Sequence, residues 1–188
     1  PGTEGKWLIE ELERRGCPVY ETSAEAFEVV SDTVNPQGII VIASRPLAKL
    51  ETVFSRPDGL IVALDAVQDP GNAGTIVRTA EASGVAGIVA LKGTVDLFAP
   101  KTLRSAMGSS FRIPIATEVS PDDLVNWCRE RSFALVGTTS HNASPYTQFD
   151  WTRPAVLVLG NEAGGIRESL LEASTANVTI PLHPPVES

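Results

Sequence analysis

The sequence predicts an α/β fold, a parallel sheet with helices on both faces, from three observations. Short apolar runs typical of buried strands alternate with helical patterns of about ten residues along residues 59–188. Turn residues, mostly glycine, proline, asparagine and aspartate, separate the two kinds of segment. The chain has 188 residues, 43% of them apolar and 20% charged, enough for one good core or a core with a small partner domain.

Residues 1–45 are predicted to form a small α/β unit of their own. Its predicted elements are a helix at 7–15, a strand beginning at Val19, a helix at 24–31 and a buried strand at 38–43. Prolines and a glycine follow, so residues 46–58 are predicted to be a linker.

Residues 59–188 are predicted to form the sheet and its helices. Predicted strands lie at 60–65, 87–91, 111–115, 133–138, 155–160 and 177–180, and predicted helices at 72–83, 99–107, 121–131 and 166–173. The best-marked helix start is at 120–123, where proline follows a serine and two acids occupy the first turn. Because strands and helices alternate, the sheet is expected to be parallel and covered on both faces.

The net charge of −8 argues by itself against a nucleic-acid partner, which favours basic surfaces. The distribution of charge weakens that argument, because no acid lies between Asp96 and Glu118. Lys101, Arg104 and Arg112 lie in that stretch. They predict either a local basic face that binds RNA or a scatter of solvated cations.

Cysteine and histidine usage gives no indication of a metal site. Cys17 and Cys128 are far apart, and His141 and His183 show no ligand spacing with them. Two lone cysteines favour a reducing, cytoplasmic setting. No apolar run approaches the length of a membrane span, and no signal-peptide pattern is visible.

The first chemical motif is the turn that follows the strand at 60–65. Asp69-Pro-Gly-Asn72 breaks the apolar pattern, and Asn72 is predicted to cap the following helix. Gly71, Gly74 and Arg78 share one side of that helix, and the glycines are expected to leave open space beside the guanidinium. The alternative is a capped helix with a solvated arginine.

The second motif is the glycine-rich turn Gly160-Asn-Glu-Ala-Gly-Gly165, again between a strand and a helix. Neither nucleotide fingerprint, G-x-x-x-x-G-K-[ST] or G-x-G-x-x-G, fits it. Since Glu162 would repel phosphate, the turn better suits a cationic or hydrogen-bond-donating ligand. A plain glycine-rich connection is the alternative.

Two further segments end strands in the same way, the polar turn at 137–140 and the strand end at 178–182. In a parallel sheet the carboxyl ends of the strands meet at one edge. We therefore expect one site there and not three.

These motifs resemble those of the SpoU (TrmH-type) RNA 2′-O-ribose methyltransferases of the SPOUT superfamily. The first reads Asp69-Pro-x-Asn72-x-Gly74-x-x-x-Arg78-Thr79-Ala80, the second Leu159-Gly-Asn-Glu-x-Gly164, and the third begins Ile180-Pro181. The resemblance covers about residues 59–188. It implies a trefoil-knotted α/β fold in which the knot loops hold bent S-adenosylmethionine. Residues 1–45 resemble part of an RNA-docking, ribosomal-protein-like α/β domain.

The resemblance also implies roles for individual residues. Catalytic positions are Asn72, Arg78, Glu162 and Ser188, and cofactor positions are Thr138, Thr139, Leu159, Gly160, Asn161, Gly164, Ile180 and Leu182. Arg78, Lys101, Arg104 and Arg112 are the expected RNA contacts. Family members act as homodimers through this domain, and a dimer could collect arginines on one face of an acidic protein.

The expected activity is S-adenosylmethionine-dependent methylation of a ribose 2′-OH, with 23S ribosomal RNA favoured and transfer RNA open. Because a guanidinium stays protonated, we expect Arg78 to clamp a phosphate and stabilise the developing oxyanion. A non-catalytic RNA- or ribosome-binding module and a small-molecule enzyme that uses another nucleotide are the alternatives.

The third motif of the family continues beyond the position matched by Ser188. The chain is therefore expected to be a fragment of the working enzyme, either by truncation or by disorder, with an incomplete knot and weak cofactor binding.

Overall fold

The computed structural model describes residues 3–31 and 36–181. It divides the chain into two compact units, Pro1–Ser44 and Arg45–Ser188. The first unit contains helix α1 (Thr3–Arg14) and helix α2 (Ala24–Val30). The Ser23 hydroxyl caps α2 by accepting from the amide of Ala26 over 3.2 Å.

The two strands predicted in the first unit are wrong. Val19 and its neighbours are irregular, and the run at 38–43 is an irregular, mostly exposed segment in which Ile42 is 96% exposed. A strand requires a second strand to pair its backbone groups. The described residues of this unit contain no such partner, so apolar composition alone did not make a strand.

The second unit is built on a seven-stranded sheet in which all pairings are parallel. The strands are β1 (Leu60–Asp65), β2 (Gly87–Leu91), β3 (Ile115–Val119), β4 (Ala134–Thr138), β5 (Ser144–Pro145), β6 (Ala155–Gly160) and β7 (Ala176–Thr179). Their order across the sheet is β3-β2-β1-β6-β4-β7-β5. The helices are α3 (Leu50–Val53), α4 (Pro70–Ala82), α5 (Pro100–Ala106), α6 (Pro121–Glu130) and α7 (Glu168–Ala173).

Helices cover both faces of the sheet, as predicted. Alternate residues of β1 point to opposite faces, so Ile61 and Ala63 lie in the core against α3, α6 and α7. Val62 and Leu64 lie in the core against α4 and α5. The trefoil knot that the resemblance implies stays a prediction.

The predicted strand at 111–115 is wrong by about one strand length. Residues Ser109–Phe111 form a short 3₁₀ turn after Gly108, which has a φ of +83°. Pro114 has no N–H to donate, so it only accepts a bond from the amide of Ile88, and the strand begins at Ile115. Pairing therefore starts where the backbone regains its donor.

The stretch at 46–58 packs with the second unit. It contains α3, whose Val53 is fully buried, and the following Phe54 is 2% exposed. Phe54 lies edge-on to Phe133, with ring centroids 5.1 Å apart. These contacts place the stretch in the core of the second unit.

Candidate active site

The carboxyl ends of the four central strands lie side by side at one edge of the sheet. β6 pairs with β1 on one side and β4 on the other, and β7 follows β4. The chain runs outward from β1 in one direction through β2 and β3, and later strands fill the other side. Such a reversal opens a crevice at the carboxyl ends, where α/β proteins bind ligands.

Helix α4 begins at this edge with a cap that differs from the predicted one. Asp69 is the N-cap: its Oδ1 accepts from the amide of Asn72 over 2.7 Å, and Pro70 occupies the first helical position. Proline suits that position because its missing N–H needs no partner there. The prediction of Asn72 as the cap is therefore wrong, and its side chain is available for another contact.

That contact joins the first motif to the second. Nδ2 of Asn72 donates to Oε1 of Glu162 over 3.0 Å, and the amide of Gln68 donates to Oε2 over 3.4 Å. The hydrogen bond from Asn72 is the largest cause of a lowered pKa at Glu162. Glu162 is thus an anion held by the first turn of α4.

The glycine-rich turn after β6, residues 160–165, forms a closed bend that we call the 160–165 bend. Backbone bonds of 2.9 and 2.8 Å join Asn161 and Gly165 in both directions. Oδ1 of Asn161 accepts from the amides of Ala163 and Gly164, both at 2.9 Å. At Gly160 an added Cβ would overlap the backbone of Gly165 and Ile166, so only glycine fits there.

A buried ion pair fixes the end of this bend to β1. Asp65 is 1% exposed, and its Oδ1 lies 2.5 Å from a guanidinium nitrogen of Arg167. Its Oδ2 accepts from the backbone amide of Arg167 over 2.8 Å, and the guanidinium also donates to the carbonyl of Lys92. Sequence reasoning missed both residues, although a carboxylate at the end of the apolar run LIVALD was a usable signal.

The space expected beside Arg78 is not supplied by Gly74. Gly74 is buried against α5, where an added Cβ would lie 2.5 Å from Cβ of Ser105 and 2.6 Å from the carbonyl oxygen of Thr102. The glycine therefore allows two helices to approach closely, and the expectation of an open approach at this position is wrong.

Arg78 itself is exposed on α4. It lies six positions after Asn72, which is roughly 9 Å along a helix axis. It makes no hydrogen bond or ion pair with the part of the chain that the structure describes. One chain thus brings Asn72 and Glu162 together but leaves Arg78 outside their network.

The remaining predicted cofactor residues surround the same strand ends. The Thr138 hydroxyl donates to the carbonyl of Val158 over 2.9 Å, and the amide of Thr139 donates to the carbonyl of Val178 over 3.0 Å. Leu159 is partly buried, whereas Ile180, just after β7, is 66% exposed. The predicted residues Leu182 and Ser188 lie outside the described residues.

Besides Arg78, the three other cations predicted to contact RNA differ in their surroundings. Lys101 and Arg104 are exposed on α5. Arg112 forms two hydrogen bonds with Glu81, of 2.5 and 2.8 Å, and lowers the pKa of that carboxyl. The positive charge of Arg112 is therefore compensated by the carboxylate of Glu81.

Residues 3–31 and 36–181 contain neither a candidate membrane span nor a candidate metal site. No helix there is long and apolar enough to cross a membrane. No group of three or more histidine, cysteine, aspartate or glutamate side chains could hold a metal ion.

Comparison with known proteins places this geometry among RNA methyltransferases. The family model of the SpoU rRNA methylase family matches residues 59–188. The 23S rRNA (guanosine(2553)-2′-O)-methyltransferase RlmP of Bacillus subtilis (strain 168) is 38% identical over 92% of this chain and 67% of its own. The 23S rRNA (uridine(2479)-2′-O)-methyltransferase of Streptomyces viridochromogenes is 32% identical, over 78% of this chain and 53% of its own.

A solved structure extends the similarity to the fold. The crystal structure of an AdoMet-bound rRNA methyltransferase from Sinorhizobium meliloti has a TM-score of 0.88 at 32% identity, covering 98% of this chain and 71% of that one. The chain spans about half to two thirds of the length of the two curated relatives above.

Proposed function

Because this chain belongs to the SpoU rRNA methylase family, we propose that it transfers a methyl group from S-adenosylmethionine to a ribose 2′-OH, with 23S ribosomal RNA as the favoured substrate. The observation that carries the proposal is the hydrogen bond between Asn72 and Glu162. It joins the first and second motifs at the edge of the sheet where α/β proteins bind ligands. The proposed setting is the cytoplasm.

The 160–165 bend suits S-adenosylmethionine. Gly164 has only one neighbour within 4 Å of an added Cβ, Oδ1 of Asn161 at 3.7 Å, so its backbone is open to a ligand. Glu162, within the bend, supplies a negative charge that favours a cationic ligand. The residues that would hold the cofactor are Gly160, Asn161, Gly164 and Ile180, with Thr138, Thr139, Leu159 and Leu182 around them.

When bound, S-adenosylmethionine supplies an electrophilic methyl group on a sulfonium. The residues of the chain then have to hold the ribose hydroxyl in line with that methyl, and placement supplies much of the rate gain. Asn72 is held by Glu162, so its amide has one fixed orientation from which to position the ribose or Arg78. Ser188 is a further catalytic position by resemblance alone.

Arg78 is proposed as the phosphate clamp. Its guanidinium is exposed and pairs with no carboxylate among the described residues, so it can make a bidentate contact to an RNA phosphate. From there it would also stabilise negative charge that develops on the 2′-oxygen. Lys101, Arg104 and Arg112 are proposed to extend the RNA contact.

A homodimer through the methyltransferase domain is part of this proposal. Arg78 lies outside the Asn72–Glu162 network of its own chain, and a second copy offers a route to a complete site. Residues 1–45 are proposed to dock RNA. Light scattering on the purified 188-residue chain should give twice its mass of 20.0 kDa, and a monomer mass would contradict the dimer.

The substrate proposal is tested with labelled S-adenosylmethionine and two unmethylated RNA pools. We expect label in the large-subunit ribosomal RNA and none in bulk transfer RNA. Label in transfer RNA alone would identify the other substrate class. If neither RNA pool acquires label although the protein still binds RNA, a non-catalytic binding module would be favoured.

A further inference from the structure

The turn that leads from β1 into α4 is held in an unusual backbone conformation. Ala66 has a φ of +56°, a left-handed value that non-glycine residues seldom adopt. Such a conformation persists only when neighbouring groups hold it in place.

One hydroxyl bridges the two sides of Ala66. Oγ1 of Thr94 accepts from the amide of Ala66 over 3.2 Å and donates to the carbonyl of Leu64 over 2.8 Å. Thr94 comes from the loop after β2, nearly 30 residues away in sequence. Its hydroxyl replaces the backbone pairing that the chain loses where β1 ends.

The left-handed turn directs its own carbonyl to the 160–165 bend. The carbonyl oxygen of Ala66 accepts from Nδ2 of Asn161 over 2.9 Å. That bond leaves Oδ1 of Asn161 to accept from Ala163 and Gly164, which closes the bend. A continuous chain of hydrogen bonds thus runs from Thr94 through Ala66 to the backbone that the proposed function assigns to the cofactor.

We propose that Thr94 is a positioning residue for the cofactor: its hydroxyl fixes Ala66 in the left-handed conformation, and Ala66 in turn fixes Asn161 and the shape of the 160–165 bend. The functional part rests on the proposed use of S-adenosylmethionine. The structural part does not, because the coupling of Thr94 to the bend exists without ligand.

The test compares two threonines whose hydroxyls both donate to a backbone carbonyl. Thr94→Val removes the hydroxyl that reaches Ala66, and Thr102→Val removes a buried hydroxyl that bonds to the carbonyl of Asp96 over 3.0 Å. Thr94→Ser keeps the hydroxyl. A fourth protein, Ala66→Gly with Thr94→Val, places at position 66 a residue that adopts the left-handed conformation freely.

The first readout is amide hydrogen exchange in the protein without ligand. Thr94→Val should speed amide exchange at Ala163, Gly164 and Gly165 about tenfold. The amide of Ile88, which lies on β2 and outside the bend, should keep its rate. Thr102→Val and Thr94→Ser should leave the three bend amides within about twofold of the wild type. Equal acceleration throughout the sheet, or none at the bend, would overturn the proposal.

The second readout is methyl transfer by the full-length protein that the gene encodes. Thr94→Val should raise the KM for S-adenosylmethionine about tenfold with kcat changed less than about twofold, and the Ala66→Gly double variant should recover most of that loss. A fall in kcat at unchanged KM would overturn the functional part.

These readouts separate the two hypotheses. If the wild type neither binds nor uses S-adenosylmethionine, the proposed function fails while the exchange data still decide the role of Thr94. If Thr94→Val does not fold, exchange is compared between Ala66→Gly and the double variant. A difference above about twofold at the bend would then count against the proposal.

Discussion

The side chains of Asn72 and Glu162 meet over 3.0 Å although 90 positions separate them in the sequence. One belongs to the first turn of α4 and the other to the 160–165 bend. Their contact means that neither element can move at the site without disturbing the other. It also gives a carboxylate a defined charge beside the proposed cofactor position.

Replacing Glu162 with glutamine should remove a pH-dependent part of the stability. Because hydrogen bonds lower the pKa of folded Glu162 below its ordinary value of 4.5, its contribution is fully present above that value and is lost as pH falls through the folded pKa. The free energy of unfolding of wild type minus Glu162→Gln should therefore be constant near neutral pH and shrink below pH 4.5.

Urea unfolding at a series of pH values measures that difference. Glu172→Gln is the control, because Glu172 is an exposed glutamate of α7 with no hydrogen bond to the described residues. A Glu162→Gln difference that grows as the solution is acidified would contradict the assigned sign.

Adding one methyl group at two nearby glycines should have opposite outcomes. Gly160→Ala forces a Cβ into the backbone of Gly165 and Ile166, and overpacking of this kind costs about 1–3 kcal/mol. Gly164→Ala meets its nearest atom at 3.7 Å, an ordinary contact. Thermal unfolding should show a drop of several degrees for Gly160→Ala alone, at about 2–4 °C per kcal/mol. An equal drop for Gly164→Ala would refute the predicted difference.

Removal of Arg167 should leave a buried carboxylate without its counter-ion. Asp65 is 1% exposed, and breaking a buried pair costs about 3–5 kcal/mol. Since the side chain of Arg167 is 34% exposed, we expect a loss at the lower end of that range. Arg167→Met should reduce the free energy of unfolding, measured with denaturant, by about 3 kcal/mol.

The matched control is Arg112→Met, which breaks the solvated pair with Glu81 and should cost much less. Comparable losses in the two variants would show that the Asp65–Arg167 pair does not behave as a buried one.

Removal of Lys101 from α5 should reduce the salt dependence of RNA binding. Each phosphate contact contributes roughly 0.7 to the slope of log affinity against log salt on single strands. Lys101→Ala should therefore lower the slope by about that value. Arg112→Ala should change it less, because Glu81 compensates that charge. Filter binding at several salt concentrations measures the slopes, and an unchanged slope for Lys101→Ala would exclude Lys101 as a phosphate contact.

The sheet and its helices were largely predictable from periodicity, because runs such as 60–65 and 155–160 are buried on both faces. The strand predicted at 38–43 does not form, since a strand depends on a partner strand that composition does not reveal. The strand predicted at 111–115 instead begins at Ile115, after Pro114, which lacks a backbone N–H. At the site, the turns at Asn72 and Glu162 were identified by their residues, and their convergence by the parallel topology.

Other parts of the site depend on contacts between distant segments, which the sequence alone does not reveal. Gly74 turned out to serve the approach of α5, and the cap at Asp69 freed Asn72. Thr94 and Ala66 carry no motif. Their relation to the bend appears only when the loop after β2 is folded against the end of β1.

The most direct test of the central proposal is the position of the transferred methyl group. Unmethylated ribosomal RNA is incubated with the full-length protein and methyl-deuterated S-adenosylmethionine, then digested to nucleosides for mass spectrometry. We predict deuterium in one 2′-O-methylated nucleoside with the wild type, and none with Arg78→Ala although that variant binds the cofactor normally. Deuterium on a base, or undiminished 2′-O-methylation by Arg78→Ala, would contradict a ribose methyltransferase that works through Arg78.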